Sequence, residues 1–194
     1  MEQTIKTENF TLEIMQDTDT ESPREWDNLG TIVCFHNRYS LGDKHDYTSN
    51  DFNGWADMKK KLAKEHDAAV ILPIYMYDHS GITIKTTPFG DQWDSGQIGY
   101  IFISKKKVRE EYNVKRINAK LRECVEGYLK GEVETYDQFL TGDVYSFSIE
   151  NEQGDTIDSC GGFYGSNIKE NGMLEYISEE VKKELKEKFG NTNY

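Results

Sequence analysis

The chain has 194 residues, of which 35 are acidic and 23 are basic, so its formal net charge is −12 at pH 7. This length predicts one domain or two very small ones. A net charge of −12 repels the phosphates of nucleic acid, which disfavours direct nucleic-acid binding and indicates a basic partner. The chain has no apolar run near the roughly 18 residues of a membrane span, and its acidic N-terminal segment does not resemble a secretory signal. We therefore expect a cytoplasmic protein that makes no membrane contact.

Cysteine usage limits the kinds of site that the chain can form. Cys34, Cys124 and Cys160 lie far apart, and no two of them form a C-x-x-C pair. An odd number of isolated cysteines is not typical of a disulfide framework or of a cysteine zinc site. We expect no cofactor.

Hydrophobic periodicity predicts alternating groups of strands and helices. The predicted strands lie at about residues 10–15, 29–35, 68–77, 82–87, 97–104, 144–149 and 156–160. The predicted helices lie at about residues 52–66, 104–112, 114–140 and 173–189. Hairpins connected by helices predict an α+β fold with a mainly antiparallel sheet and three to four helices. We expect a single compact domain over residues 1–194, with residues 1–9 and 190–194 frayed.

Three of the predicted helices have an apolar stripe that suggests a buried face. Asp51 is the expected N-cap of the first helix, and Gly131 is a possible break in the third. The predicted apolar stripes are Trp55, Met58 and Leu62 in the first helix, Ile117, Leu121, Cys124 and Tyr128 in the third, and Leu174, Ile177, Val181 and Leu185 in the last.

Aromatic side chains stand beside polar residues in several predicted turns. Trp26 precedes Asp27, and Trp93 precedes Asp94. One interpretation is that the rings pack against irregular loops and hold them in place. The other is that they form a recognition surface, because Trp, Tyr and Arg supply much of the binding energy at protein interfaces.

Histidine and aspartate side chains in two loops give the alternative of a metal site. Their residue types suit zinc, manganese or magnesium, but their spacing matches no diagnostic metal motif. The candidates are His36, Asp43, His45, Asp46, Asp78 and His79. A metal-dependent hydrolase or nucleotide-degrading enzyme is therefore the alternative function, and structural histidines are the simpler interpretation. A Cys160 nucleophile activated by His36 or His79 is a weaker possibility.

Several long motifs of the chain resemble a known group of proteins. They include S-P-R-E-W-D-N-L-G-T at Ser22–Thr31, Y-D-H-S-G at Tyr77–Gly81 and W-D-S-G-Q-I-G-Y at Trp93–Tyr100. They resemble a family of small proteins carried by bacteriophages and mobile elements of Gram-positive bacteria, over nearly all of the chain from about residue 20 to residue 175. The resemblance implies a phage gene product that acts inside a bacterial host, and it supplies no catalytic residues.

The phage origin that the resemblance implies, taken together with the acidic charge, predicts an anti-CRISPR-like inhibitor. Acidic phage proteins of this size often inhibit host nucleases, with carboxylates that replace DNA phosphates in a basic channel. Residues 123–158 hold ten acids and one base. We therefore expect partner contacts from Glu123, Glu126, Glu132, Glu134, Asp137, Asp143, Glu150 and Glu152, together with Trp26 and Trp93. The expected partner is a host nuclease or another host protein with a basic surface.

Overall fold

The computed structural model describes residues 2–91 and 93–189. In this part of the chain, five α-helices and eight strands form an α+β fold with two antiparallel sheets. The predicted fold class is therefore confirmed, with the strands divided between two sheets. Residues 190–194, which were expected to be frayed, lie outside the described residues.

Groups of strands alternate with helices along the chain. The strands are β1 (Gln3–Lys6), β2 (Phe10–Gln16), β3 (Thr31–Cys34), β4 (Ala68–Asp78), β5 (Ile82–Lys85), β6 (Ser95–Ser104), β7 (Val144–Asn151) and β8 (Thr156–Tyr164). The helices are α1 (Trp55–Glu65), α2 (Lys105–Glu111), α3 (Ala119–Thr141), α4 (Met173–Tyr176) and α5 (Glu179–Phe189). The structure describes no helix that is long and apolar enough to cross a membrane.

The chain divides into two compact units, which we call the terminal unit (residues 1–21 and 138–194) and the central unit (residues 22–137). The terminal unit contains a sheet with the strand order β1-β2-β7-β8. Its core combines alternate residues of the strands with the apolar faces of α4 and α5. Part of the segment expected to be frayed, Gln3–Lys6, forms β1 and pairs with β2.

The central unit contains a sheet with the strand order β3-β6-β4-β5. Met58 and Leu62 of α1 pack on one face of this sheet with Tyr100 and Phe102. The other face meets α3, because the space beside Gly30 is filled by Leu129 of that helix and by Ile101 of β6. The central sheet is thus covered by a helix on each face.

The buried stripe of α3 differs from the predicted one. The buried residues are Val125, Leu129, Val133 and Tyr136, whereas Cys124 and Tyr128 are exposed. Two stripes at helical spacing run along this segment, and the sheet packs against the aliphatic one. Gly131 does not break the helix.

Two helix boundaries also differ from the predictions. Asp51 does not cap α1, because it bonds to Thr48 in a preceding turn and α1 begins after Gly54, whose φ is +83°. The predicted helix over 173–189 is divided, since Ile177 has extended backbone and the Ser178 hydroxyl accepts from the N–H of Val181. Ser178 therefore acts as the start signal for α5.

Candidate interaction surfaces

The motif at Ser22–Thr31 is organised around one buried cation, Arg24, whose side chain is 5% exposed. Its Nε and Nη2 atoms donate to both oxygens of Asp43 at 2.9 and 2.7 Å, and Nη1 donates to Glu132 at 3.3 Å. Burial by itself lowers the pKa of Arg24, but the hydrogen bonds and charges of Asp43 and Glu132 raise that pKa overall. We call these three residues the Arg24 cluster.

The two carboxylates of the Arg24 cluster also bind main-chain donors. Asp43 Oδ2 accepts from the N–H of Ile32 at 2.7 Å, and Glu132 Oε1 accepts from the N–H of Leu29 at 2.6 Å. These bonds connect α3 and the loop after β3 to the entry of β3. Within the motif at Ser22–Thr31, Arg24 therefore has a structural role.

The predicted contact acids of α3 fall into two groups. Glu132 and Asp137 are bonded inside the central unit, with Asp137 Oδ1 accepting from the N–H of Ile84 at 2.6 Å. Glu123 and Glu134 are exposed, and Glu126 lies 2.8 Å from Lys130 in a surface ion pair. Only the second group is placed to meet a partner, because the first already stabilises the fold.

The β7–β8 hairpin holds an acidic surface. Between Val144 and Tyr164 the sequence has four acids, Glu150, Glu152, Asp155 and Asp158, and no base. Glu152, Asp155 and Asp158 are exposed, and Glu150 is half-buried. The last two acids of this group were not in the predicted contact set, although they lie in the same acidic segment.

The turn of this hairpin is held by its own hydrogen bonds. The Asn151 side chain accepts from the main-chain N–H groups of Gln153 and Asp155, and Gly154 adopts a φ of +83°. Asp143, at the other end of β7, is hydrogen-bonded to Tyr145, whose pKa is raised by burial and then by this bond. The hairpin acids therefore stand on a hydrogen-bonded strand pair, whose register shifts between Ile149 and Glu150.

The two units differ sharply in charge. The terminal unit has 17 acidic and 6 basic residues, a net charge of −11, whereas the central unit has 18 acidic and 17 basic residues, a net charge of −1. Nearly all of the negative excess therefore belongs to the terminal unit. A basic surface should be attracted mainly to this unit.

None of the three tryptophan side chains is buried. Trp93 is 95% exposed, Trp26 is 50% exposed and Trp55 is 36% exposed. The expectation that Trp55 is buried was wrong, because α1 begins at this residue and its buried face starts at Met58. Trp26 borders a shallow groove of about 460 Å³ formed with the small residues Gly127 and Gly131 of α3. Trp26 and Trp93 are thus accessible to a partner.

Trp93→Ala should leave the melting temperature unchanged, because surface substitutions usually alter stability by less than about 0.5 kcal/mol. The main-chain N–H that bonds to Asp91 is kept in this variant. If Trp93 is an anchor, partner binding should weaken by about 2 kcal/mol. Thermal melts and binding titrations of the variant check both statements. A large drop in melting temperature would show instead that the ring supports its own loop.

Several of the histidine and aspartate side chains that were considered as metal ligands are bonded to other residues instead. Asp43 belongs to the Arg24 cluster, Asp78 pairs with Arg38, and His79 Nδ1 lies 2.9 Å from Asp94. The described residues include no group of three or more histidine, cysteine, aspartate or glutamate side chains that could hold a metal ion. The hydrolase alternative therefore has no assembled site in this part of the chain.

The cysteines differ in exposure. Cys34 is buried, and burial raises the pKa of its thiol, so it is a poor nucleophile. Cys160 lies in β8 and is half-buried, two residues before Gly162, whose φ is +80°. Cys124 is exposed on α3.

Comparison with protein-family models, with curated proteins and with solved structures found no match.

Proposed function

We propose that the protein is a phage-encoded acidic inhibitor that binds a host defence nuclease, specifically a CRISPR effector, without catalysis. The observation that carries the proposal is the β7–β8 hairpin, with four acids and no base on an ordered strand pair. Nucleases that bind DNA have channels lined by Lys and Arg, so such a hairpin complements their charge. The resemblance to proteins of phages and mobile elements supports a target in the bacterial cell.

The position of the hairpin in its sheet also supports the proposal. β8 lies at an edge of the terminal sheet, and most of its residues are exposed. Edge strands are accessible from the side, so Asp158, the one carboxylate of this strand, can approach a groove in a partner. The exposed Glu123 and Glu134 of α3 and the accessible Trp26 and Trp93 are further proposed contacts.

Reversing the hairpin charge should abolish inhibition. The test variant carries Glu150→Lys, Glu152→Lys and Asp158→Lys, which leaves Asp155 in the turn and keeps the edge strand charged. Its matched control carries Glu110→Lys, Glu111→Lys and Glu170→Lys, three exposed acids that are not part of the hairpin, with the same change in net charge. Charge complementarity speeds association between proteins. We therefore expect the hairpin variant to inhibit the nuclease at least about tenfold more weakly than the unchanged protein.

The measurement is phage plaquing on bacteria that carry an active CRISPR system directed at that phage. The unchanged protein and the control variant should restore plaque formation, and the hairpin variant should not. Thermal melts establish that both variants are folded. If a folded hairpin variant restores plaque formation, the hairpin has no part in inhibition. If the unchanged protein restores no plaques against any CRISPR effector of its host, the proposed function is contradicted.

A further inference from the structure

A large cleft in the central unit has a composition unlike the rest of this acidic protein. It has a volume of about 810 Å³, within the range of roughly 300–1,000 Å³ that is typical of small-molecule sites. Its walls are the loop that follows β3 and the start of α1. We call it the loop cleft.

The charged side chains that line the loop cleft are mainly basic. Arg38 and Lys44 line it, and the carboxylate of Asp43, which also lines it, is occupied by Arg24. One terminal nitrogen of Arg38 contacts Asp78, which leaves other donors of the five in a guanidinium group. Because Asp43 is paired with Arg24 and Arg38 with Asp78, Lys44 is the lining cation that makes no ion pair with a described residue, and its charge favours an anion.

The start of α1 adds a second attraction for an anion. Gly54 and Trp55 line the loop cleft, and α1 runs for 11 residues. Gly54, at the N-cap, supplies no side-chain hydrogen bond to the first turn. Main-chain N–H groups and the positive end of the helix dipole at such a terminus attract phosphate groups, and the one acid of the first turn, Asp57, accepts from the N–H of Asn53 at 3.0 Å.

Planar rings also line the loop cleft. The rings of His36 and Tyr39 are stacked, with centroids 5.1 Å apart and an angle of 12° between them. Phe35 makes an edge contact with His45 at 5.3 Å, and Trp55 is 36% exposed at the cleft. Exposed aromatic faces are the surfaces on which nucleic-acid bases stack.

One buried polar atom at the loop cleft is not satisfied by the protein. His45 Nδ1 has no hydrogen-bond partner among the described residues, while Nε2 lies 3.4 Å from the carbonyl oxygen of Cys34. Buried polar atoms are nearly always hydrogen-bonded, so His45 is a side chain at the cleft whose hydrogen bonding the described residues leave incomplete.

We propose that the loop cleft binds a nucleoside phosphate. The base stacks on the aromatic side chains, and the phosphate lies near Arg38, Lys44 and the start of α1. The proposal concerns reversible binding and includes no covalent step. It concerns the central unit and does not depend on the acidic hairpin of the terminal unit.

Calorimetric titration with the four ribonucleoside monophosphates and triphosphates tests this proposal. Inorganic phosphate, the four unphosphorylated nucleosides and a 20-nucleotide single strand are titrated in parallel. We expect at least one nucleotide to bind and to raise the melting temperature, and phosphate and the nucleosides each to bind at least about tenfold more weakly.

Variants at the loop cleft distinguish it from an adventitious site. Arg38→Gln with Lys44→Gln should weaken nucleotide binding at least about tenfold, because charge-assisted hydrogen bonds are lost. Lys59→Gln with Lys60→Gln, on the exposed side of α1, is the matched control and should bind normally.

Three results would overturn the proposal. They are no heat of binding at millimolar nucleotide, equal binding by the cleft variant and its control, and binding of the single strand alone. The last of these would assign the cleft to a nucleic acid rather than to a free nucleotide.

Discussion

Arg24→Ala should lower the free energy of unfolding by about 3–5 kcal/mol, because it leaves Asp43 and Glu132 partly buried without their cation. This loss is a large share of the 5–15 kcal/mol that stabilises a typical protein. The carbonyl oxygen of Gly30, which accepts from Arg24 at 2.8 Å, also loses its donor. Chemical denaturation measured by circular dichroism checks the prediction.

Two further variants give this experiment its controls. Arg24→Lys should also be clearly destabilised, because an ammonium group cannot bind both oxygens of Asp43 and reach Glu132 at the same time. Arg116→Ala removes an exposed arginine and should change stability by less than about 0.5 kcal/mol. If Arg24→Ala and Arg116→Ala have the same free energy of unfolding, the Arg24 cluster does not stabilise the central unit.

Gly99→Ala should destabilise the protein by about 3 kcal/mol. A Cβ atom at Gly99 would lie 2.8 Å from the Cα and Sγ atoms of Cys34 and closer still to the carbonyl oxygen of Val33. Two of these atoms belong to the main chain of β3, so the strand itself would have to move. For a protein of this size the change corresponds to a fall in melting temperature of about 6–12 °C.

Gly96→Ala is the matched control in the same strand. A Cβ atom at Gly96 meets no other atom within 4 Å. Because alanine loses less backbone entropy than glycine on folding, this variant should be as stable as the unchanged protein or slightly more stable. Equal melting temperatures for the two variants would contradict the close packing of β3 on β6.

The strands were the most predictable part of the fold. The apolar and β-branched runs that form β4 and β6 are long enough to identify a buried strand without knowledge of their neighbours. By contrast, β1 has only four residues, and Ile5 alone among them is buried. Such a segment becomes a strand through its pairing with β2, which local sequence does not show.

The face of α3 was predicted wrongly because two stripes were available. Cys124 and Tyr128 have a helical spacing, and so do Val125, Leu129 and Val133. Aliphatic side chains gain more from full burial than tyrosine, whose hydroxyl needs a partner, so the sheet covers the aliphatic stripe. The choice depends on tertiary packing and not on periodicity.

The predicted acidic surface separates in the structure into exposed and structural carboxylates. Charge counting could identify the acidic segment, but it could not show that Glu132 is bonded to residues 103 and 108 positions away. Asp155 and Asp158 could have been included from the sequence, since they continue the same acidic run. The loop cleft could not, because residues 34–58, which line it, include a long loop whose lack of periodicity gives no sign that it encloses a cavity.

The most direct test of the proposed function is the cleavage of target DNA by a purified, guide-loaded CRISPR effector of the bacterial host. The protein is titrated into the reaction at two salt concentrations, beside the hairpin variant and its charge-matched control. We predict that the unchanged protein and the control suppress cleavage, less strongly at high salt, and that the hairpin variant does not. Undiminished cleavage in a molar excess of the unchanged protein, or equal suppression by the folded hairpin variant, would contradict the account.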